Sequence, residues 1–278
     1  MPVAPSADAH LRVAAVQLSS RADLSHNLET CRELVSIAAE EGAALVVLPE
    51  NFAYLGPEAG RRQIAERLGD QDAPIQRALS RMAHDFGLTV VAGGFPENSR
   101  DPGRPFNTCV VISPAGQIVG YYRKIHLFDA EVSDASTLRE SAACLAGDDP
   151  VVVRVGGFVL GLSICYDLRF PELYRALVDR GAEVLLVPAA FTLQTGKDHW
   201  HVLARARAIE AQSWVVAPNQ WGTHSDGRAS YGHSMIIDPW GTVVAECSDR
   251  VGVVCANIDR ALLESVRRRL PSLRHRRL

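Results

Sequence analysis

Gly161-Leu162-Ser163-Ile164-Cys165-Tyr166-Asp167-Leu168-Arg169-Phe170-Pro171-Glu172-Leu173 passes from an apolar strand to the start of a helix and sets a thiol at the junction. Residues 158–164 form a short apolar run of buried-strand type, and Pro171 followed by Glu172 has the character of a first helical turn. A cysteine so placed lies near backbone N–H groups that lack partners. Those donors, with the positive end of the helix dipole, predict a favoured thiolate and support for an oxyanion beside it. A lone cysteine is equally at home as a small buried apolar residue, so the thiol acquires chemical meaning only in company.

Two other strand ends supply that company. Ala43-Ala44-Leu45-Val46-Val47-Leu48-Pro49 is an apolar run of parallel-strand type that delivers Glu50 at its carboxyl end, the side of an α/β sheet on which ligands bind. Residues 116–128 read as a turn, a strand and an exit that carries Lys124 toward a loop. Each signal is weak alone, since the lysine also suits a solvated strand end. Together a carboxylate, an ammonium and a thiol provide a base, an oxyanion-stabilising cation and a nucleophile, which is what amide hydrolysis requires.

The remaining pattern alternates in the same way. Strands are predicted at 11–18, 45–48, 88–92, 184–187, 214–217, 234–237 and 243–246, with hairpins at 109–113/117–122 and 151–155/158–163. A helix at 24–41 presents Leu28, Cys31, Leu34, Val35 and Ala38 on its inner face. Further helices are predicted at 75–86, ended by Gly87, and at 200–211; Gly93-Gly94 reads as a turn. Mixed strands in two layers flanked by helices predict an α/β fold of the α-β-β-α sandwich type.

Composition sets the outer bounds. The 278 residues, 47% of them apolar, suffice for one large domain spanning 1–278, with a short N-terminal extension at 1–10 and a basic C-terminal tail at 266–278. A net charge of -3 argues against a nucleic-acid partner, and the arginines of the tail read as a solvated face or a subunit contact. No apolar run is long enough to span a bilayer and no secretory leader pattern opens the chain, so a cytoplasmic location without membrane attachment is expected. The six cysteines are scattered and read as free thiols. His199-Trp200-His201 lies in a helical stretch, where residues two apart diverge, so no metal site is expected there. Residues 196–198 lack phosphate-loop spacing and 156–157 lack a dinucleotide fingerprint, and no cofactor is expected.

Three motifs together are specific: Leu-Pro-Glu ending at Glu50, Tyr-Arg-Lys-Ile-His-Leu-Phe-Asp from Tyr122 to Asp129, and Cys-Tyr-Asp-Leu-Arg-Phe-Pro-Glu-Leu from Cys165. His199-Trp200, the 205–210 segment, and Tyr231-Gly232-His233-Ser234 leading into residues 237–241 add to them. From residue 12 onward the chain resembles the nitrilase (carbon–nitrogen hydrolase) superfamily, and within it the Nit branch. The resemblance implies an α-β-β-α sandwich that forms homodimers or larger homo-oligomers through its helices. It implies hydrolysis of a primary amide of a small carboxylate-bearing molecule, an omega-amide or deaminated glutathione, to acid and ammonia through a thioester. Carried over by position, Cys165 is the nucleophile, Glu50 the general base, and Lys124 the oxyanion stabiliser, helped by the Tyr166 N–H. Glu140 is the second site glutamate, with Glu131 of the same loop as its alternative; a buried lysine needs such compensating charge. Arg169 and Thr195 match positions that bind a substrate carboxylate, which suits the planar fork of a guanidinium. Two departures from the branch pattern stand out: residues 131–135 replace a Pro-Gly turn, and His201 stands where a glutamate is common. Nitrile or N-carbamoyl amino acid hydrolysis uses the same thiol chemistry, and a catalytically silent binding or scaffold protein is the reading from a different class.

Overall fold

The computed structural model describes residues 10–133, 136–225 and 227–277. The first half of the chain runs β1 (His10–Gln17), α1 (Leu24–Glu40), β2 (Leu45–Leu48), α2 (Glu58–Gln63), α3 (Pro74–Phe86), β3 (Thr89–Glu97), β4 (Phe106–Ile112) and β5 (Ile118–Arg123). A hairpin of β6 (Asp129–Ser133) and β7 (Ser136–Arg139) then enters the short helix α4 (Glu140–Ala143). Asp134 and Ala135, part of the segment that departs from the Nit pattern, lie outside the described residues. The second half runs β8 (Val152–Val155), β9 (Phe158–Leu162), a 3-10 turn (Cys165–Arg169), α5 (Pro171–Asp179), β10 (Val184–Leu186), α6 (Leu193–Ala211) and β11 (Trp214–Ala217). After a small hairpin, β12 (Trp221–Thr223) and β13 (Ala229–Tyr231), come β14 (Met235–Ile237), β15 (Val243–Glu246), β16 (Gly252–Asp259) and α7 (Arg260–Arg269).

Two six-stranded sheets result, ordered β16-β1-β2-β3-β4-β5 and β15-β14-β11-β10-β9-β8. Side chains alternate across a strand, and here both faces are apolar. Leu11, Val13 and Ala15 of β1, with Leu45 and Val47 of β2, join the core shared with the second sheet. Their neighbours Ala14, Val16, Val46 and Leu48 instead pack with Cys31, Leu34 and Val35 of α1 and Leu79 and Met82 of α3. On the far side, Leu173, Tyr174 and Leu177 of α5 and Trp200, Ala204 and Ala208 of α6 cover the second sheet. The layers are therefore α-β-β-α, as the alternation predicts. Burying each Leu or Val fully is worth about 1.5–3 kcal/mol, so the two cores hold the layers without help from disulfides; the six cysteines are free.

The differences from expectation are local. Gly93-Gly94 is no turn: β3 continues to Glu97 through a bulge between Ala92 and Phe95, with Gly94 at φ +73°. A Cβ on Gly93 would sit 2.1 Å from Pro188 Cγ, so glycine there lets the two sheets approach closely. α6 begins seven residues earlier than predicted, capped by the Thr192 hydroxyl, which puts Thr195 in a first helical turn rather than a loop. Leu28 is only half-buried while Asn27 is buried, its amide donating to the Arg21 and Ala53 carbonyls. β16 escapes the pattern because, as an edge strand, it is only half-buried along most of its length. The basic tail starts inside α7: Arg267 donates to the Ala182 and Gln212 carbonyls and is a packing residue.

Candidate active site

The first sheet contributes a carboxylate and an ammonium, and α4, after the β6–β7 hairpin, a second carboxylate, Glu140. Glu50 follows β2 after Pro49 and is 4% exposed, while Lys124 follows β5 and is 2% exposed. Lys124 Nζ donates to Glu50 Oε1 at 2.9 Å and to Glu140 Oε2 at 2.8 Å. Asn107, on β4, donates from Nδ2 to Glu50 Oε1 at 2.9 Å and to Glu140 Oε1 at 3.2 Å. Glu140 also accepts from the Phe128 N–H at 2.7 Å. The residue before Lys124 is anchored as well, since Arg123 forks onto the buried Glu97 carboxylate at the end of β3. Glu131 lies exposed in β6, so the glutamate meeting Lys124 is Glu140.

The second sheet contributes the thiol. Cys165 opens the 3-10 turn with φ +50°, a left-handed conformation that costs a non-glycine residue about 1–2 kcal/mol. Asp167, fully buried, offsets that cost. Its Oδ2 accepts from the Ile164 N–H at 2.8 Å and the Tyr122 hydroxyl at 2.7 Å, and its Oδ1 accepts from the His126 N–H at 3.1 Å and faces His126 Nδ1 at 2.7 Å. Arg207 Nε donates to the Leu168 carbonyl at 2.9 Å, fixing the turn from α6. The Cys165 N–H is spent on the Pro188 carbonyl at 2.9 Å. The thiol lies beside Glu50, whose charge acts on it, and near the Ala190 N–H, which donates to Glu50 Oε2 at 3.1 Å.

The electrostatics correct one expectation. Burial and the Glu50 charge push the Cys165 thiol well above its ordinary pKa, against the opposing pull of Lys124. The resting sulfur is a thiol, not a thiolate. The dipole of α5 does not act on it because α5 starts at Pro171, with the whole 3-10 turn between. Lys124, which burial alone would discharge, is held well above the usual lysine value by Glu140, Glu50 and then Cys165. Burial raises the Glu140 carboxyl, but Lys124 and the Phe128 N–H outweigh it and bring the pKa below its ordinary value.

Two cavities meet at Cys165. A small apolar one is lined by Phe128, Tyr166, Phe191, Thr192 and the two expected carboxylate binders, Arg169 and Thr195. The Arg169 guanidinium lies over the Phe191 ring at 5.2 Å and approaches His199 Nδ1 at 3.3 Å; among the described residues it pairs with no carboxylate. The larger cavity, about 290 Å³, is bounded by Glu50, Lys124, Asn107 and Glu140 and reaches Arg61, Arg139 and Arg228. Arg61 Nη2 is buried there without a hydrogen-bond partner among the described residues.

The sequence matches the carbon–nitrogen hydrolase family across residues 12–268. The chain belongs to that family. Its relatives place this carbon–nitrogen hydrolase further. It is 47% identical over 266 residues to the deaminated glutathione amidase of Synechocystis, covering 95% of this chain and 97% of the relative. It is 43% identical to the human deaminated glutathione amidase, covering 95% and 82%. Among solved structures, the nitrilase superfamily protein Nit3 of Saccharomyces cerevisiae superposes with a TM-score of 0.86 at 30% identity, with 95% of each chain covered. An amidase from Nesterenkonia, whose active-site cysteine carries an acrylamide adduct, matches with a TM-score of 0.78 at 28% identity over 94% of this chain and 98% of that one. The hydrolase residues that sequence reasoning passes over are Asn107 and Asp167. Asp167 sits in the Cys165 motif, two residues from the thiol; Asn107 leaves no local signal, because β4 meets Glu50 only through the sheet.

Proposed function

We propose that Cys165, Glu50 and Lys124 carry out cysteine-dependent amide hydrolysis on an acidic, non-peptide substrate. The observation that carries this is the buried Glu50 carboxylate, which accepts from the Lys124 ammonium and lines the same cavity as the Cys165 thiol, close enough for its charge to raise the thiol pKa. Glu50 removes the thiol proton as sulfur attacks the amide carbon. Lys124 Nζ and the Tyr166 N–H receive the developing oxyanion. The C–N bond then breaks, with the proton passing from Glu50 to the leaving nitrogen, and leaves a thioester on Cys165. A water deprotonated by Glu50 cleaves the thioester and releases the carboxylic acid and free thiol. Glu140 and Asn107 hold Lys124 and Glu50 in register and are positioning residues.

The two cavities support a substrate class. The carboxylate end of the acyl portion reaches Arg169 and Thr195 at the small one, of only about 20 Å³. The leaving amine points into the larger one, where Arg61, Arg139 and Arg228 stand with Glu58. The expectation of a primary amide releasing ammonia needs correcting for one of its two substrates: an omega-amide would lose ammonia there, whereas deaminated glutathione has only N-substituted amides and would lose an amine, for which the roomy cavity is better suited. Deaminated glutathione or a close analogue is therefore the preferred reading, ahead of a nitrile or an N-carbamoyl amino acid. No described helix is long and apolar enough to cross a membrane. A cytoplasmic enzyme acting as one unit over residues 12–268 fits this reading. The exposed apolar side chains of α6 and its neighbour, Val202 at 67% and Trp240 at 59%, fit self-association through that layer.

The test is intact-mass analysis of the protein with deaminated glutathione, omega-amides, N-carbamoyl amino acids and nitriles. An acyl adduct on Cys165 from an acidic amide is expected. Its absence with every amide, alongside full folding, would support a silent binding protein instead.

A further inference from the structure

Outside the amidase site, three elements bring two imidazoles and a carboxylate together. His201 extends from α6, His233 precedes β14, and Glu246 ends β15. Glu246 Oε1 lies 2.8 Å from His201 Nε2 and 2.6 Å from His233 Nδ1, and one ligand atom from each of the three lies within 4.8 Å of the others. All three side chains remain a quarter to a third exposed, so the cluster is open to solvent on one side. The helical pair His199 and His201 diverges as helix geometry requires: His199 turns to Arg169, and His201 finds its partners through the fold.

From this convergence we infer that His201, His233 and Glu246 form a binding site for a divalent cation of zinc type, with an open fourth position for water. Two imidazoles and one carboxylate are the donor set of several zinc sites. Tetrahedral zinc with bonds of about 2.0–2.1 Å needs its donors about 3.3 Å apart, so the carboxylate must withdraw by about half an ångström from His201 and slightly more from His233, while the two ring nitrogens, within 4.8 Å of each other, settle to the same spacing. The protons have somewhere to go. His233 has its other nitrogen, Nε2, 3.4 Å from Asp249 Oδ1, so when Nδ1 takes a metal its proton moves to Nε2 and faces a carboxylate. That carboxylate–imidazole–metal relation orients the ligand and sharpens its basicity. The rings are also held before any ion arrives. His233 stacks on Tyr231 with centroids 4.4 Å apart, His201 packs edge-on to the same ring, and the His233 carbonyl accepts from Trp200 Nε1 at 2.8 Å. The charge environment suits a cation, because Asp249 adds its carboxylate to that of Glu246 around His233. Bound metal would clasp α6, whose first turn carries Thr195, to β14 and β15 of the second sheet.

Cobalt(II) and zinc(II) titrations of the full chain test this, since cobalt distinguishes imidazole and carboxylate ligation from thiolate ligation by spectrum. One equivalent of cobalt per chain is expected, with the visible bands of a four-coordinate ion, no thiolate charge-transfer band, and displacement by zinc. His201→Gln and Glu246→Gln should weaken binding at least about a hundredfold, and the exposed Asp249→Asn, which cannot disturb the core, about tenfold. Zinc should raise the melting temperature of the wild type and not of His201→Gln, while amidase turnover of the metal-free variants stays at the wild-type level. Absence of saturable binding, affinity unchanged in His201→Gln and Glu246→Gln, or a thiolate-type cobalt spectrum would each overturn the inference.

Discussion

Cys165 keeps its proton until substrate arrives, because desolvation and the Glu50 charge both oppose a resting anion. Alkylation of Cys165 by iodoacetamide should therefore keep rising through about pH 9, above the ordinary thiol value of about 8.5; a plateau below pH 8 would reveal a preformed thiolate. Cys165→Ala should abolish turnover with an unchanged circular dichroism spectrum. Lys124→Met should lower kcat at least about a hundredfold, the usual scale for one oxyanion donor, and a change confined to KM would make Lys124 a binding charge instead. The depressed Glu140 pKa has a defined sign in stability. The contribution is fully present above the ordinary carboxylate pKa and is lost as pH falls through the lower folded value. Between about pH 5 and pH 2 the wild-type melting temperature should fall more steeply than that of Glu140→Gln.

At the level of elements, the turn after β9 and the bulge in β3 fix where the reactive groups point. Asp167→Ala strips the acceptors of Ile164 N–H, Tyr122 and His126 and should cost at least about 2 kcal/mol, measured by denaturant midpoint, with Asp167→Asn recovering part of it. Gly94→Ala places a Cβ 1.9 Å from Asn107 Oδ1 at a left-handed φ, so it should displace the amide that aligns both carboxylates and lower kcat at least about tenfold. The same two elements mark how far the sequence could be read. The strand ends near Glu50 and Cys165 are legible because apolar runs stop there, whereas Lys124, behind Arg123 on the half-exposed β5, stands out only through the motif that resembles the nitrilase superfamily. The bulge at Gly93-Gly94 is not, since a glycine pair signals a turn until Pro188 and Asn107, far away in the chain, show why no side chain fits. The 3-10 turn is hidden in the same way: Pro171 marks where α5 begins, yet nothing local states that the preceding turn is a separate element. β16 is invisible to periodicity because an edge strand buries too little to show it.

Across the whole molecule, recognition should be divided between two regions that meet at Cys165, one at Arg169 and one at Arg139. Arg139→Gln should reduce kcat/KM for an amide whose leaving amine bears a carboxylate by about tenfold and leave the simple omega-amide unaffected, whereas Arg169→Lys should penalise both. Steady-state comparison of the two substrates, and of an omega-amide acid with its methyl ester, separates the regions. Light scattering should show a dimer or larger assembly, and Val202→Glu should shift it toward monomer. The nucleophile and its base also belong to different sheets, with Gly93 and Pro188 marking how tightly those sheets are apposed next to the site. Catalytic competence is thus a reading of alignment between two halves of the core. Sliding of one sheet over the other by even an ångström would silence the enzyme while every strand stayed paired, so in mild denaturant turnover should vanish ahead of any loss of secondary structure.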